Sequence, residues 1–317
     1  MKRLLMKLKP THIAAWIVLR LVPWESARAR LFYLGRRLAR SWKYLKGPRS
    51  NFLYFRCNVC GMKTSFPRDE FSREGWSCVY CSSNVRWRSV IHALSTELLG
   101  KSLAIPDFPV RPELVGVGLS DWDGYAVRLT EKITYTNTYY HREPLLDITS
   151  VDPSQYGRYD FVIATDVFEH ICPPILKAFE NARRLLKPGG VMIFTVPFIE
   201  GETKEHFPEL YRFSLQKNGN GVILLNETRD GRSQEFSDLT FHGGQGSVLE
   251  MRLFGKEGIL RNVQDAGFGE IRLYDEEYPE HGILWVPYVA KSAQDRPPFH
   301  GMDAPPFALR NCSPNTR

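Results

Sequence analysis

Residues Tyr159 to Phe198 read YDFVIATDVFEHICPPILKAFENARRLLKPGGVMIFTVPF, and this stretch decides the fold. The apolar run near 160–165 predicts a buried strand, and 173–187 predicts a helix. Leu186-Lys187-Pro188-Gly189-Gly190 stops that helix, because proline and two glycines cannot continue it. The chain then turns into a second strand at 191–197. Strand, helix and strand in this order form a βα unit, which implies parallel pairing.

The same alternation extends outward. Upstream, strands are predicted at 113–118, 133–137 and 143–147; downstream, a helix at about 256–266 precedes strands near 269–275 and 283–290. Between them, Ile199 to Gly255 is an insertion of 57 residues, too long for an ordinary loop. With D-x-x-E-H at Asp166 to His170 and L-K-P-G-G at Leu186 to Gly190, the region 113–291 resembles class I S-adenosylmethionine-dependent methyltransferases of the type 11-like group. The resemblance implies a Rossmann-like α/β fold: a mostly parallel sheet with an antiparallel last strand and helices on both faces.

In such a sheet a cofactor lies beyond the carboxyl ends of the strands. By the resemblance, S-adenosylmethionine would meet Gly116 and Gly118 after the first strand, Asp147 after the third, and Asp166, Val167 and Phe168 after the fourth. The family's acidic residue and two of its three glycines are absent here, where Ser120 and Trp122 stand in the glycine positions. Asp121 is the substitute for the charged role, and Asn137 for the ribose-binding acid after the second strand. Methyl transfer needs a positioned acceptor and, for a hydroxyl or amine, a group to take its proton. His170 with Glu169 follows the fourth strand directly, and His206 lies in the insertion, so these three are the candidate catalytic residues. The insertion also carries Phe241-His242-Gly243-Gly244 and Tyr211, and is the expected acceptor lid. The alternative is a β-hairpin packed on the sheet edge with surface histidines.

Ahead of this body, Cys57, Cys60, Cys78 and Cys81 form two C-x2-C pairs, the spacing of a zinc ribbon over 51–100. Four thiolates fill a tetrahedral sphere, so the expected zinc is structural. The segment Arg86 to Leu99 predicts a helix closed by Gly100, with Val90, Ile91, Leu94 and Leu98 inward.

The formal net charge of +7 divides unevenly: residues 1–50 carry 13 Lys+Arg and only Glu25, while the rest of the chain is net acidic. Trp24, Ala27, Leu31, Leu34, Leu38, Trp42 and Leu45 recur at helical spacing, with arginine and lysine on the other faces. This basic amphipathic arm suits the headgroup layer of an anionic membrane through residues 24–46. Nucleic-acid binding, docking on the protein's own body and organelle targeting are the alternatives. No apolar run is long enough to span a bilayer and no signal-peptide cleavage site follows, so the expectation is a cytoplasmic protein, peripheral at the membrane. Residues 292–317, with five prolines, are expected to be disordered.

The expected function is methyl transfer from S-adenosylmethionine to a small-molecule, lipid-linked or glycan acceptor. RNA is the alternative acceptor, although D-V-F-E-H lacks the N/D-P-P-Y/F motif of base-amino methylating enzymes. A non-catalytic scaffold on the same fold is the third reading.

Overall fold

The computed structural model describes residues 51–219, 221–242, 248–284 and 306–310. The basic arm, including its stripe over 24–46, lies outside the described residues. The chain opens with an antiparallel hairpin of β1 (Phe52–Arg56) and β2 (Lys63–Pro67). Helix α1 (Val85–Leu99) follows, its start capped by Asn84, whose Oδ1 accepts from Trp87 N at 2.8 Å. Gly100, at φ 74°, ends it in the left-handed conformation.

The central sheet contains β3 (Arg111–Leu119), β4 (Ile133–Thr138), β5 (Tyr159–Thr165) and β6 (Leu186–Thr195), all parallel. Helix α2 (Asp123–Thr130) joins β3 to β4, and α3 (Leu176–Leu185) joins β5 to β6. The insertion is built of short strands: β7 (Phe198–Ile199), β8 (Lys204–Glu205), β9 (Arg212–Asn218), β10 (Gly221–Glu227), β11 (Ser233–Phe236), β12 (Phe241–His242), β13 (Val248–Leu249) and β14 (Arg252–Gly255). Helix α4 (Lys256–Asp265), β15 (Glu270–Leu273) and β16 (Phe307–Arg310) complete the fold. Across the sheet the order is β15-β16-β6-β5-β3-β4, with β16 antiparallel to both neighbours. This is the Rossmann-like sheet that the sequence implies.

Three boundaries differ from the sequence reading. The strand expected at 143–147 does not form; Leu145 makes only an isolated bridge to Tyr139. Pro144 has no N–H for a ladder, and the Leu145 side chain is 56% exposed, so the run has neither a continuous ladder nor the buried face of a central strand. Of the strand expected over 283–290, residues 285–290 lie outside the described residues; among the described residues the strand between β15 and β6 is β16, within the tail expected to be disordered. Phe307 and Leu309 are buried between the sheet and its helices, an alternation too short to register against the surrounding prolines. Finally, Lys187 to Gly190 belong to β6 as an irregularity: Tyr159 pairs Leu186, but Phe161 already pairs Val191.

Two hydrophobic clusters lie on opposite faces of the sheet. One gathers Phe168, Phe179, Phe194, Phe254 and Phe307 beneath α3 and α4. The other runs without interruption from Leu53, Phe55 and Phe66 of the hairpin, through Val90, Ile91 and Leu94 of α1, to Phe161 and Ile163 of β5. The four-cysteine segment is thus packed onto the sheet. Arg56 O accepts from His281 Nδ1 at 2.9 Å, and Gly282 O accepts from Arg88, which ties the later loop to the hairpin as well.

Candidate functional site

The two C-x2-C turns are paired by backbone geometry. Gly61 N donates to Cys57 O at 2.7 Å, and Ser82 N donates to Cys78 O at 2.9 Å. Gly61 (φ 75°) and Ser82 (φ 63°) take the left-handed conformation after each turn. The turns bring Cys57 Sγ within 3.7 Å of Cys81 Sγ and Cys60 Sγ within 3.8 Å of Cys78 Sγ. A tetrahedral ion with metal–sulfur bonds of about 2.3 Å separates its sulfurs by about 3.8 Å, so the cluster has the dimensions of a zinc site. Beside it Arg88 is fully buried and, among the described residues, its hydrogen bonds go to neutral oxygens: Ser83 O and Oγ, Ser77 Oγ and Gly282 O. Burial pushes its guanidinium down, and the neighbouring cysteines oppose that shift. An uncompensated buried cation is costly; four thiolates around Zn²⁺ carry two net negative charges and would supply the counterion.

At the carboxyl ends of β3, β4 and β5, the residues expected to face a cofactor have protein partners. A Cβ at Gly116 would enter the Phe161 ring, and one at Gly118 would strike Tyr135 Oη and Asp121 Oδ2. Both glycines make room for side chains of the protein. Asn137 is locked to Asp121, accepting from its N and donating to its O, both at 2.9 Å. Asp147 accepts from Thr149 N and Oγ1 at 2.8 and 2.7 Å, in a loop and not at a strand end. Trp122, in a position where the family carries glycine, stacks on Trp87 of α1 at 3.9 Å and 8°. Asp121 is 3% exposed and accepts from Tyr135 Oη; burial raises its carboxyl to about 7.

Asp166, with φ 52°, is gripped bidentately by Arg73 at 2.6 and 2.8 Å and accepts from Thr195 Oγ1 at 2.8 Å. Arg86 approaches it at 3.3 Å and pairs Glu74. Burial pushes the Asp166 carboxyl up, but the charges of Arg73 and Arg86 outweigh this and hold it well below the usual range. The segment between the two cysteine pairs and the start of α1 thus place two guanidiniums over the carboxyl end of β5. Val167 is half-buried and Phe168 fully buried in the aromatic cluster under α3, stacked on Phe179.

The next residues open the second half of the site. Phe168–His170 form a 3-10 turn that is held from the insertion. Arg252, fully buried, donates Nη1 to Phe168 O at 2.8 Å and to Ile171 O at 2.6 Å, while its Nε donates to Glu205 at 2.7 Å. Met251 N donates to Glu169 O at 2.8 Å. His170 Nδ1 donates to Leu249 O at 2.9 Å, and burial lowers its imidazole, so the ring is neutral near pH 7 with Nε2 as its unprotonated nitrogen. Glu250 joins the two histidines of the insertion: His206 Nε2 meets Oε1 and His242 Nε2 meets Oε2, each at 2.9 Å. Burial pushes Glu250 up, but the two histidine hydrogen bonds outweigh it and bring the carboxyl to about 2. Glu169 is fully buried; burial first, and the nearby charge of Asp166 second, raise its carboxyl well above the ordinary value.

Glu169, His170 and His206 therefore belong to one neighbourhood, completed by His242 and Glu250. Of these, Glu250 escaped the sequence reading, as did Arg73, Arg86 and Arg252. Their neighbours in the sequence carry no motif; only the fold brings the cysteine segment and the insertion to the same edge. Tyr211 is 44% exposed, its ring flanked by Arg212 and Arg229.

Residues 103–225 match the family model described as a methyltransferase domain. No curated protein matches the chain. Among solved structures, an amino pentose methyltransferase of Micromonospora echinaspora, involved in calicheamicin biosynthesis and bound to S-adenosylmethionine, is similar at 14% identity and TM-score 0.37, over 72% of this chain and 92% of that one. A 1,6-didemethyltoxoflavin-N1-methyltransferase of Burkholderia thailandensis is similar at 12% identity and TM-score 0.37, over 72% and 79%. A sugar N-methyltransferase of a Streptoalloteichus species is similar at 13% identity and TM-score 0.36, over 71% and 88%.

A methyltransferase domain implies S-adenosylmethionine, and the carboxyl edge provides a test of fit. Arg73 Nε is buried without a hydrogen-bond partner among the described residues. An orphaned donor of this kind is rare in a sealed interior, and it fits an edge that receives a polar, carboxylate-bearing molecule.

Proposed function

We propose that this chain, whose residues 103–225 match the family model of a methyltransferase domain, transfers methyl groups from S-adenosylmethionine to a small-molecule, lipid-linked or glycan acceptor. One observation carries the acceptor side of this reading. Glu169, His170, His206, His242 and Glu250 meet at the carboxyl end of β5, where the insertion folds over the sheet. S-adenosylmethionine, when bound, supplies an electrophilic methyl carbon. Asp121, Asn137 and Val167 lie along the edge that would hold it, beside Arg73 and Arg86, which pair Asp166 and Glu74.

The chain's own contribution is orientation and proton handling. Arg252 fixes the 3-10 turn, the turn fixes Glu169 and His170, and Glu250 fixes the two insertion histidines. A neutral imidazole and buried carboxyl groups form an environment in which an acceptor hydroxyl or amine can lose its proton. The four cysteines would hold a structural zinc that stiffens the segment presenting Arg73 and Arg86. The basic arm, through residues 24–46, would bring the enzyme to an anionic membrane surface. No helix among the described residues is long and apolar enough to cross a membrane.

A second reading, a non-catalytic scaffold, is favoured by the pairing of Asp166 with Arg73 and of Asn137 with Asp121. Transfer of labelled methyl groups from S-adenosylmethionine into fractionated lysate distinguishes the two. The enzyme reading expects label in a lipid or small-molecule fraction. Label confined to RNA would remove the proposed acceptor class, and no label in any fraction at saturating cofactor would favour the scaffold.

A further inference from the structure

We propose that Glu169, His170 and His242 form a second metal site, distinct from the four-cysteine cluster, that binds one divalent first-row transition-metal ion. Each residue offers one ligand atom, and the three atoms lie within 4.8 Å of one another. Glu169 Oε1 stands 3.7 Å from His170 Nε2 and 3.9 Å from His242 Nδ1. An ion about 2.1 Å from nitrogen and oxygen ligands separates them by roughly 3.0 Å at right angles and about 3.4 Å in a tetrahedron. The two Glu169–histidine separations stand within about half an ångström of the tetrahedral value, and the third ligand pair is within 4.8 Å.

The independent evidence is Glu169 itself. Its side chain is 1% exposed, yet neither carboxylate oxygen has a hydrogen-bond partner in any other described residue, its own backbone N–H being the one donor that acts on it. Protonation does not repair this, because the nearest imidazole nitrogen, at 3.7 Å, is beyond hydrogen-bond reach. Buried carboxyl groups are normally satisfied; a cation between Glu169 and the histidines satisfies this one.

The surroundings orient the ligands as outer-shell partners do. His170 donates its other nitrogen to Leu249 O, which leaves Nε2 with its lone pair toward Glu169. His242 has its Nε2 on the Glu250 carboxylate at 2.9 Å, which turns Nδ1 toward Glu169. Carboxylate and carbonyl partners of this sort fix ring orientation and raise ligand basicity. Two imidazoles and a carboxylate suit zinc, manganese, iron or cobalt better than calcium, whose ligands are all oxygen. Three protein ligands leave positions open. His242 is 35% exposed, so the open side reaches solvent and admits an oxygen ligand from an incoming acceptor. That last role rests on the methyltransferase reading, whereas metal binding does not.

The test is a Mn²⁺ titration of the full chain, followed by the electron paramagnetic resonance of the free ion, without cofactor or acceptor. A thiolate cluster is a poor Mn²⁺ site, so the four cysteines do not obscure the signal. About one Mn²⁺ per chain is expected, with Zn²⁺ in competition; binding should weaken at least tenfold in Glu169→Gln and in His242→Ala, while the zinc content of the four cysteines and the thermal midpoint stay near wild type. Absence of binding by both ions beyond the cysteine site at millimolar concentration overturns the proposal. So does unchanged affinity in a folded Glu169→Gln, or in His242→Ala should the first variant misfold. A chain that binds Mn²⁺ but transfers no methyl group would refute the enzyme reading and leave the metal site standing.

Discussion

Asp121 offers a quantitative test because its environment works against its charge. The carboxyl is 3% exposed, and burial raises it from 3.8 to about 7 in the folded chain. A raised folded value means that the native state holds the proton more tightly than the unfolded state. Its contribution to stability is therefore fully present below about pH 4 and is lost as pH rises through about 7. The difference of about three pKa units corresponds to roughly 4 kcal/mol, of which about 2.6 kcal/mol is lost between pH 5 and pH 8. Asp121→Asn removes the titration but keeps the shape and an oxygen to accept from Tyr135 Oη. Denaturant unfolding of both proteins at half-unit intervals from pH 5 to 8 gives the difference in stability, in which titrations common to both chains cancel. The variant should gain on wild type steadily, by about 2 to 3 kcal/mol over this interval. A difference that is flat with pH, or that moves in wild type's favour, would refute the reasoning.

Two further perturbations probe the supports of the site. Cys57→Ser with Cys60→Ser should release about one zinc per chain and unfold the hairpin segment, measured by elemental analysis and by loss of thermal stability; unchanged metal content would refute the zinc assignment. Arg252→Met leaves two carbonyls and Glu205 without their donor and should destabilise the chain by about 3 to 5 kcal/mol in denaturant unfolding; a loss under 1 kcal/mol would show that the turn carrying Glu169 and His170 is held by other means.

The parallel sheet was legible because its strands are buried on both faces and its turns are punctuated by glycine and proline: 160–165 and 191–197 of the sequence reading fall within or beside β5 and β6. The helix from Arg86 to Leu99 was equally plain, since Asn84 and Gly100 cap it and its apolar face is periodic. What the pattern could not show was tertiary. Phe307 and Leu309 complete the sheet from beyond a proline-rich stretch, and their burial depends on a slot between β15 and β6 that only the folded chain creates. Within the site, Glu169, His170 and His206 stood out as residue types after a strand or in a long insertion. Arg73 and Glu250 did not, because an exposed charge and a buried partner look alike in sequence. Gly116 and Gly118 make room for Phe161 and Tyr135. A glycine tells that space is needed, not what fills it.

The proposed function places S-adenosylmethionine at the carboxyl edge between β3, β4 and β5, under the cysteine segment and the insertion. Calorimetric titration of the intact chain with S-adenosylmethionine is the decisive measurement. Saturable binding at about one molecule per chain is expected, weakened at least tenfold in Arg73→Met, which removes the guanidinium that pairs Asp166 at this edge. No heat of binding at millimolar cofactor, in a protein whose folding is confirmed in the same sample, would contradict it.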